Sequence, residues 1–116
     1  MERQEHVLAT SELGRIAVSG DAIAQLVATA AAESYGVVGL AGRRRLLGLP
    51  WGRDRAVRVE LREDGLAVDV HVVVEHGLRL AEVGARARER ISYELERMLG
   101  LPLASLEVHI DRVRSR

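Results

Sequence analysis

The stretch VRVELREDGLAVDVHVVVEHG, residues 57–77, decides the fold of this chain. Apolar and polar residues alternate on both sides of Asp64-Gly65, which is the period of a strand with one buried face. Asp-Gly between two such runs is a strong signal for a tight hairpin turn. The stretch therefore predicts a β-hairpin, with the even-numbered valines of its second strand facing the core and Gly77 closing it.

A helix with strands on either side is predicted before the hairpin. GRIAV, residues 14–18, has the β-branched character of a short strand. Ser19 stands where a helix N-cap belongs, and an Ala-rich apolar stripe continues to about Ser34. Gly36 follows where a left-handed residue ends a helix, and VVGLA, residues 37–41, is predicted to form a second strand.

After the hairpin, residues 80–99 carry apolar side chains at spacings of three and four, which predicts a second amphipathic helix. Gly100 and Pro102 end this helix, and residues 106–110 alternate as a last strand. The predicted order is β-α-β-β-β-α-β. A right-handed crossover makes the last strand parallel to the second hairpin strand. The expected fold is α+β with two layers, in which two helices pack on one face of a mixed sheet.

We expect one domain over residues 13–113. Residues 1–12 are mixed and polar and are interpreted as a flexible arm, and residues 114–116 as a tail. Residues 42–55, GRRRLLGLPWGRDR, lack periodicity and are interpreted as an exposed loop.

Composition excludes several classes of site. The chain of 116 residues has no cysteine, so disulfides, thiolate metal ligands and cysteine nucleophiles are ruled out. The 17 basic residues, all arginine, balance 17 acidic ones, so no overall charge attracts the chain to nucleic acid or membrane. No secretion signal or apolar membrane-spanning run is found. We expect a cytoplasmic protein without direct membrane insertion.

The sheet side that faces away from the core is the first candidate surface. It could be a plain solvated surface of paired charges or a surface on which a second copy docks. If His71 and His109 come close together beside a carboxylate, zinc or iron ligands are a third possibility. We expect no metal and no cofactor, and assign a candidate self-association face to Arg58, Glu60, Asp69, His71, Val73, Glu107 and His109.

The loop is the second candidate surface. Trp51 could fold back and cap the core. Alternatively, Trp51 and the neighbouring leucines and arginines could contact a partner protein, a phosphate group or a lipid surface. The candidate partner-binding residues are Arg43, Arg44, Arg45, Leu47, Leu49, Trp51 and Arg53. No nucleophile elbow or phosphate-binding glycine motif occurs, so we expect no enzyme activity and no catalytic residue.

Residues 14–113 resemble the alkaline-shock-protein family of small bacterial envelope stress response proteins. The pattern E-x-x-G-V-x-G is matched by Glu33, Gly36, Val37 and Gly39, and the hairpin end V-V-V-E-H-G, the helix opening near L-x-E-V and the run M-L-G-L follow. The family's loop after the second strand is often longer and richer in glycine, so partner contacts there are not carried over.

The resemblance implies a non-enzymatic scaffold in cell-envelope stress response or homeostasis. Such a protein associates with itself and docks on a small membrane anchor protein, at the inner face of the membrane. The alternative is a nucleic-acid-binding module that uses the Arg-rich loop, whose affinity would fall steeply with salt.

Overall fold

The computed structural model describes residues 5–41, 45–46, 49–50 and 56–115. The seven predicted elements occur in the predicted order, with three additional strands, and the α+β class is confirmed. The elements are β1 Glu5–Ser11, β2 Gly14–Ser19, α1 Gly20–Ala32, β3 Val37–Leu40, β4 Arg45–Leu46, β5 Leu49–Pro50, β6 Val57–Arg62, β7 Gly65–Glu75, α2 Leu80–Leu99 and β8 Leu103–Arg114.

The long strand β7 is the centre of the main sheet. β6 pairs with it antiparallel, with Arg62 opposite Gly65, so the hairpin predicted from Asp64-Gly65 is confirmed. β8 lies along the other edge of β7 and runs parallel to it. The crossover through α2 therefore connects parallel strands, as the sequence predicts, and the structure shows that the two strands are direct neighbours.

β3 and β6 share one edge of β7 and continue one another. β3 pairs with the last third of β7, opposite Val72–Val74, and β6 pairs with residues 65–70. Between them, the amide of Ala41 donates to the carbonyl of His71 (2.9 Å) and the amide of His71 donates to the carbonyl of Ala56 (2.8 Å). Ala41 and Ala56 together fill one ladder position, so the intervening residues are inserted into a single strand opposite His71.

Both helices pack on one face of this sheet. Alternation turns the even-numbered residues of β7 toward them, and Val68, Val70, Val72 and Val74 are buried. The core also holds the apolar stripes of the helices, which contact each other and the sheet. Their buried side chains include Ile23, Val27, Val83, Ala87, Ile91 and Leu95.

The hydroxyl of Ser19 accepts from the amide of Ala22 (3.1 Å), which confirms the predicted cap of α1.

The first residues differ from the predicted arm. Glu5–Ser11 form strand β1, which pairs antiparallel with β2, and the two make a sheet separate from the main one. A tight turn explains the difference: the amide of Leu13 donates to the Ser11 hydroxyl (3.2 Å), and Gly14 has a φ of 138°. The β1–β2 hairpin depends on this local turn. The mixed polar composition of residues 1–12 carries no apolar alternation from which a strand could be predicted.

Candidate functional site

The sheet face opposite the helices carries a continuous group of polar side chains. Alternation along each strand brings them to one side, and the strand register sets them side by side. Arg58 lies opposite Asp69, Asp69 opposite Glu107, and His71 opposite His109. We call this surface the polar sheet face; it consists of Arg58, Glu60, Asp69, His71, Glu107, His109 and Asp111.

Two histidines stack at the middle of the polar sheet face. The ring centroids of His71 and His109 are 4.4 Å apart and the rings are nearly parallel, at 12°. Their side chains are 31% and 39% exposed, so neither ring lies in the core. The structure thereby brings together the two histidines that the sequence could place near one another only if their strands were neighbours.

Each histidine faces carboxylates on the neighbouring strand. Nδ1 of His71 lies 3.0 and 3.2 Å from the two carboxylate oxygens of Asp111. The register shifts here, because Val72 pairs with Ile110 and Val73 pairs with Arg112. Asp111 is therefore the extra residue of a β-bulge, a device that redirects a side chain. Alternation predicts that Asp111 shares this face with His109 and could lie near the two histidines if the strands are neighbours, but it does not predict the bulge.

His109 faces two carboxylates at once. Its Nε2 lies 3.5 Å from Oδ1 of Asp69 and 3.5 Å from Oε1 of Glu107. Ligand atoms of these three residues all lie within 4.8 Å of one another. One imidazole nitrogen and two carboxylates can form ion pairs when the ring is protonated, or bind a cation when it is neutral.

Val73 is the one residue of the predicted self-association face that is buried. It is 3% exposed, so it offers no surface to a partner. Arg114 lies over this part of the sheet, because its guanidinium donates to the carbonyl of Val38 on β3 (3.0 Å). Gly39, opposite Val73, leaves room for it: Nη2 of Arg114 would lie 3.3 Å from a Cβ at Gly39.

The remaining predicted face residues are accessible. Arg58 and Glu60 are exposed on β6, and Glu60 accepts from Nε of Arg62 at 3.2 Å. Ion pairs of this exposed kind contribute about 0–1 kcal/mol, so they shape the charge pattern more than they stabilise the fold.

The predicted loop residues fall mostly outside the described residues. Arg43, Arg44, Leu47, Trp51 and Arg53 lie outside them, and Arg45 and Leu49 are described only as strand backbone, in the β4–β5 pair. What the structure does place is the attachment of this segment. Ala41 and Ala56, just beyond its two ends, both bond to the backbone of His71. The two described residues that flank this segment are therefore bonded to the backbone of a residue of the polar sheet face.

Neither described helix combines the length and the apolar content that a membrane crossing requires.

Solved structures share this fold at low sequence identity. A variant of the MamM CTD matches with a TM-score of 0.56 and 15% identity, over 83% of this chain and 93% of that one. A manganese form of another MamM CTD variant matches with a TM-score of 0.55 and 15% identity, over 83% and 98%. At this identity the likeness shows the fold.

Sequence relatives are more similar. A Streptococcus pyogenes protein, Spy1614, is 31% identical over 107 residues, which cover 87% of this chain and 88% of the relative. YloU of Bacillus subtilis is 26% identical over 110 residues, covering 90% and 92%. The model of the alkaline-shock-protein family matches residues 9–115, nearly the full length, and its description names a cell envelope-related function. The resemblance found in the sequence is thus confirmed, and the chain belongs to the alkaline-shock-protein family.

Proposed function

We propose that this protein is a non-enzymatic scaffold of the cell envelope that associates with itself through the polar sheet face and docks on a small membrane-anchored partner. The protein would act on the cytoplasmic side, peripheral to the membrane. The coarse assignment to cell-envelope function follows from the family. The self-association, the partner and the location are the proposal.

The observation that supports self-association is the accessible, two-signed polar sheet face. Both helices pack on the opposite side of the sheet, so they do not cover the polar side chains on this side. It presents Arg58 beside Asp69 and Glu107, so a second copy can set opposite charges against each other. Such complementarity sets the orientation and specificity of an interface more than its affinity.

The polar sheet face is too small in area to form a stable interface without additional residues. With about 3.3 Å per residue and about 4.8 Å between strands, β7 and its neighbours span roughly 36 by 14 Å, or about 500 Å². A stable interface of standard size covers about 800 Å² on each partner. The face alone falls short of this area, so we assign the missing part to residues 42–55, whose attachment points flank His71.

This segment also suits the docking role. It carries Trp51, several leucines and the arginines 43, 44, 45, 53 and 55. Tryptophan and arginine are enriched among the residues that dominate binding energy. We propose that the candidate partner-binding residues contact the membrane-anchored partner, or the second copy, from a position beside the polar sheet face.

A deletion designed on the strand register tests this proposal. Leu40 pairs with Val72, Ala41 takes the position opposite His71, and Val57 pairs with Val70. Joining Ala41 directly to Val57 removes residues 42–56 and keeps every pair of the ladder in register. We expect the full chain to form oligomers in light scattering, and the deletion variant to weaken that association at least tenfold.

The same pair of proteins tests docking. Each is used as bait on detergent extracts of the membrane fraction, and bound proteins are identified by mass spectrometry. We expect a small membrane protein to be captured by the full chain and lost with the deletion. An unchanged oligomer together with unchanged capture would contradict the role assigned to residues 42–55.

A further inference from the structure

We infer that Asp69, Glu107 and His109 form a binding site for a divalent first-row transition-metal ion. The site lies on the polar sheet face, on the two parallel strands β7 and β8. This inference does not depend on the proposed scaffold function. It departs from the expectation, drawn from the sequence, that the chain has no metal site.

The distances between the donor atoms suit one shared cation. Nε2 of His109 lies 3.5 Å from an oxygen of Asp69 and 3.5 Å from an oxygen of Glu107. With metal–ligand bonds of about 2.1 Å, neighbouring ligand atoms lie about 3.0–3.4 Å apart and opposite ones about 4.2 Å. All three donor atoms lie within 4.8 Å of one another. Donor atoms 4.8 Å apart must approach by about 0.6 Å to become opposite ligands and by about 1.4 Å to become neighbouring ones, which rotation of exposed carboxylate side chains can supply.

The charges at this point favour a cation. Asp69 and Glu107 are directly opposite each other in the ladder, and like charges in that position destabilise a sheet. Within the described residues, His109 is the one group that forms an ion pair with either of them. Arg58 lies opposite Asp69 in the ladder but forms no ion pair with it within the described residues, so when the imidazole is neutral a divalent ion would neutralise both carboxylates.

The surroundings hold the imidazole ligand in place. The ring of His109 stacks on that of His71, and Nδ1 of His71 in turn contacts the carboxylate of Asp111. Groups around a metal ligand that fix its orientation raise metal affinity. The ligands also come from paired strands, which place side chains more precisely than loops do.

The donor set selects the class of ion. An imidazole nitrogen suits zinc, copper, iron or nickel, while carboxylates suit manganese and also bind zinc. All-oxygen sites are typical of calcium and magnesium, which bind imidazole poorly. Three side chains leave coordination positions for water, because the ligands are between 39% and 67% exposed.

Calorimetry on the full chain, free of affinity tag and dialysed against chelator, tests the site with ZnCl₂ as the probe. We expect one zinc ion per chain. Asp69→Asn and His109→Gln should each weaken binding at least tenfold. His76→Ala, which removes an exposed histidine of the β7–α2 connection, should leave the affinity unchanged.

A second measurement locates the ion. MnCl₂ added to ¹⁵N-labelled protein should broaden the amide signals around residues 69–71 and 107–109 first. The same spectra show that the variants are folded. Absence of zinc binding at millimolar concentration, or equal affinity in His109→Gln and His76→Ala, overturns the inference. Light scattering in EDTA measures the scaffold proposal separately, because association through the polar sheet face needs no metal.

Discussion

Gly65 shows how a single residue closes the hairpin and admits the last strand. Its φ is 131°, a conformation that side chains with a Cβ rarely adopt. A Cβ added there would lie 2.5 Å from the carbonyl oxygen of Pro102. That same oxygen accepts from the amide of Leu66 (3.0 Å), at the start of the β7–β8 pairing. Glycine is therefore required both for the turn and for the close approach of the chain entering β8.

Gly65→Ala should destabilise the protein by about 3 kcal/mol or more, because backbone strain of about 1–3 kcal/mol adds to a steric clash. Gly14→Ala is the matched control, since Gly14 has a φ of 138° and nothing within 4 Å of an added Cβ. Urea denaturation of both variants measures the difference. Equal losses of stability would show that the contact with Pro102 does not constrain the fold.

At this scale the sequence predicts what local chemistry controls. Ser19 as a helix cap and Asp64-Gly65 as a turn are both signals carried by neighbouring residues, and both are confirmed. Val73 was wrongly placed on the accessible face, because it lies between Gly39 on β3 and Arg112 on β8, which are far away in sequence, and is 3% exposed there. The sequence places Asp111 on the same face as His109, but the register shift at Asp111 is a bulge that no local pattern predicts.

The split strand is the main feature at the scale of elements. The sequence predicts β3 and β6 as two separate strands, yet they occupy one edge of β7 and meet opposite His71. Period-two alternation identified each half but carries no information on which edge they occupy. Alternation also did not predict β1, because its apolar and polar residues alternate only weakly and the strand is defined by its pairing with β2.

Removing residues 42–56 should leave the fold intact. The free energy of unfolding should stay close to that of the full chain, because the shorter connection saves about 2 kcal/mol of loop-closure cost, which offsets the loss of the buried side chain of Ala56. Urea denaturation measures this, and hydrogen exchange at the His71 amide reports the repaired ladder. We expect His71 to stay as protected as the neighbouring β7 amides.

A large fall in stability, or rapid exchange at His71, would contradict the continuous-strand description. It would mean that residues between Ala41 and Ala56 supply packing that the main sheet needs.

Over the whole molecule, the residues that stabilise the fold and the residues that are available for contacts lie on opposite sides of the main sheet. The helices and the even-numbered valines of β7 form the core on one side of the sheet. The other side carries the polar sheet face, and residues 42–55 are attached at the edge of the sheet, opposite His71. The sequence predicted this division because alternation and helical periodicity both report burial. It could not predict the stacked histidines, since their contact depends on the register between β7 and β8.

Sedimentation equilibrium of the full chain in EDTA tests the central claim, self-association through the polar sheet face, most directly. The chain has a mass of 12.7 kDa, and we predict particles of at least twice that mass. Arg58→Glu, which places a third acid beside Asp69 and Glu107, should shift the particles to 12.7 kDa, while Arg15→Glu on the separate β1–β2 sheet should not. A full chain of 12.7 kDa at every concentration, or oligomers untouched by Arg58→Glu, would contradict the claim.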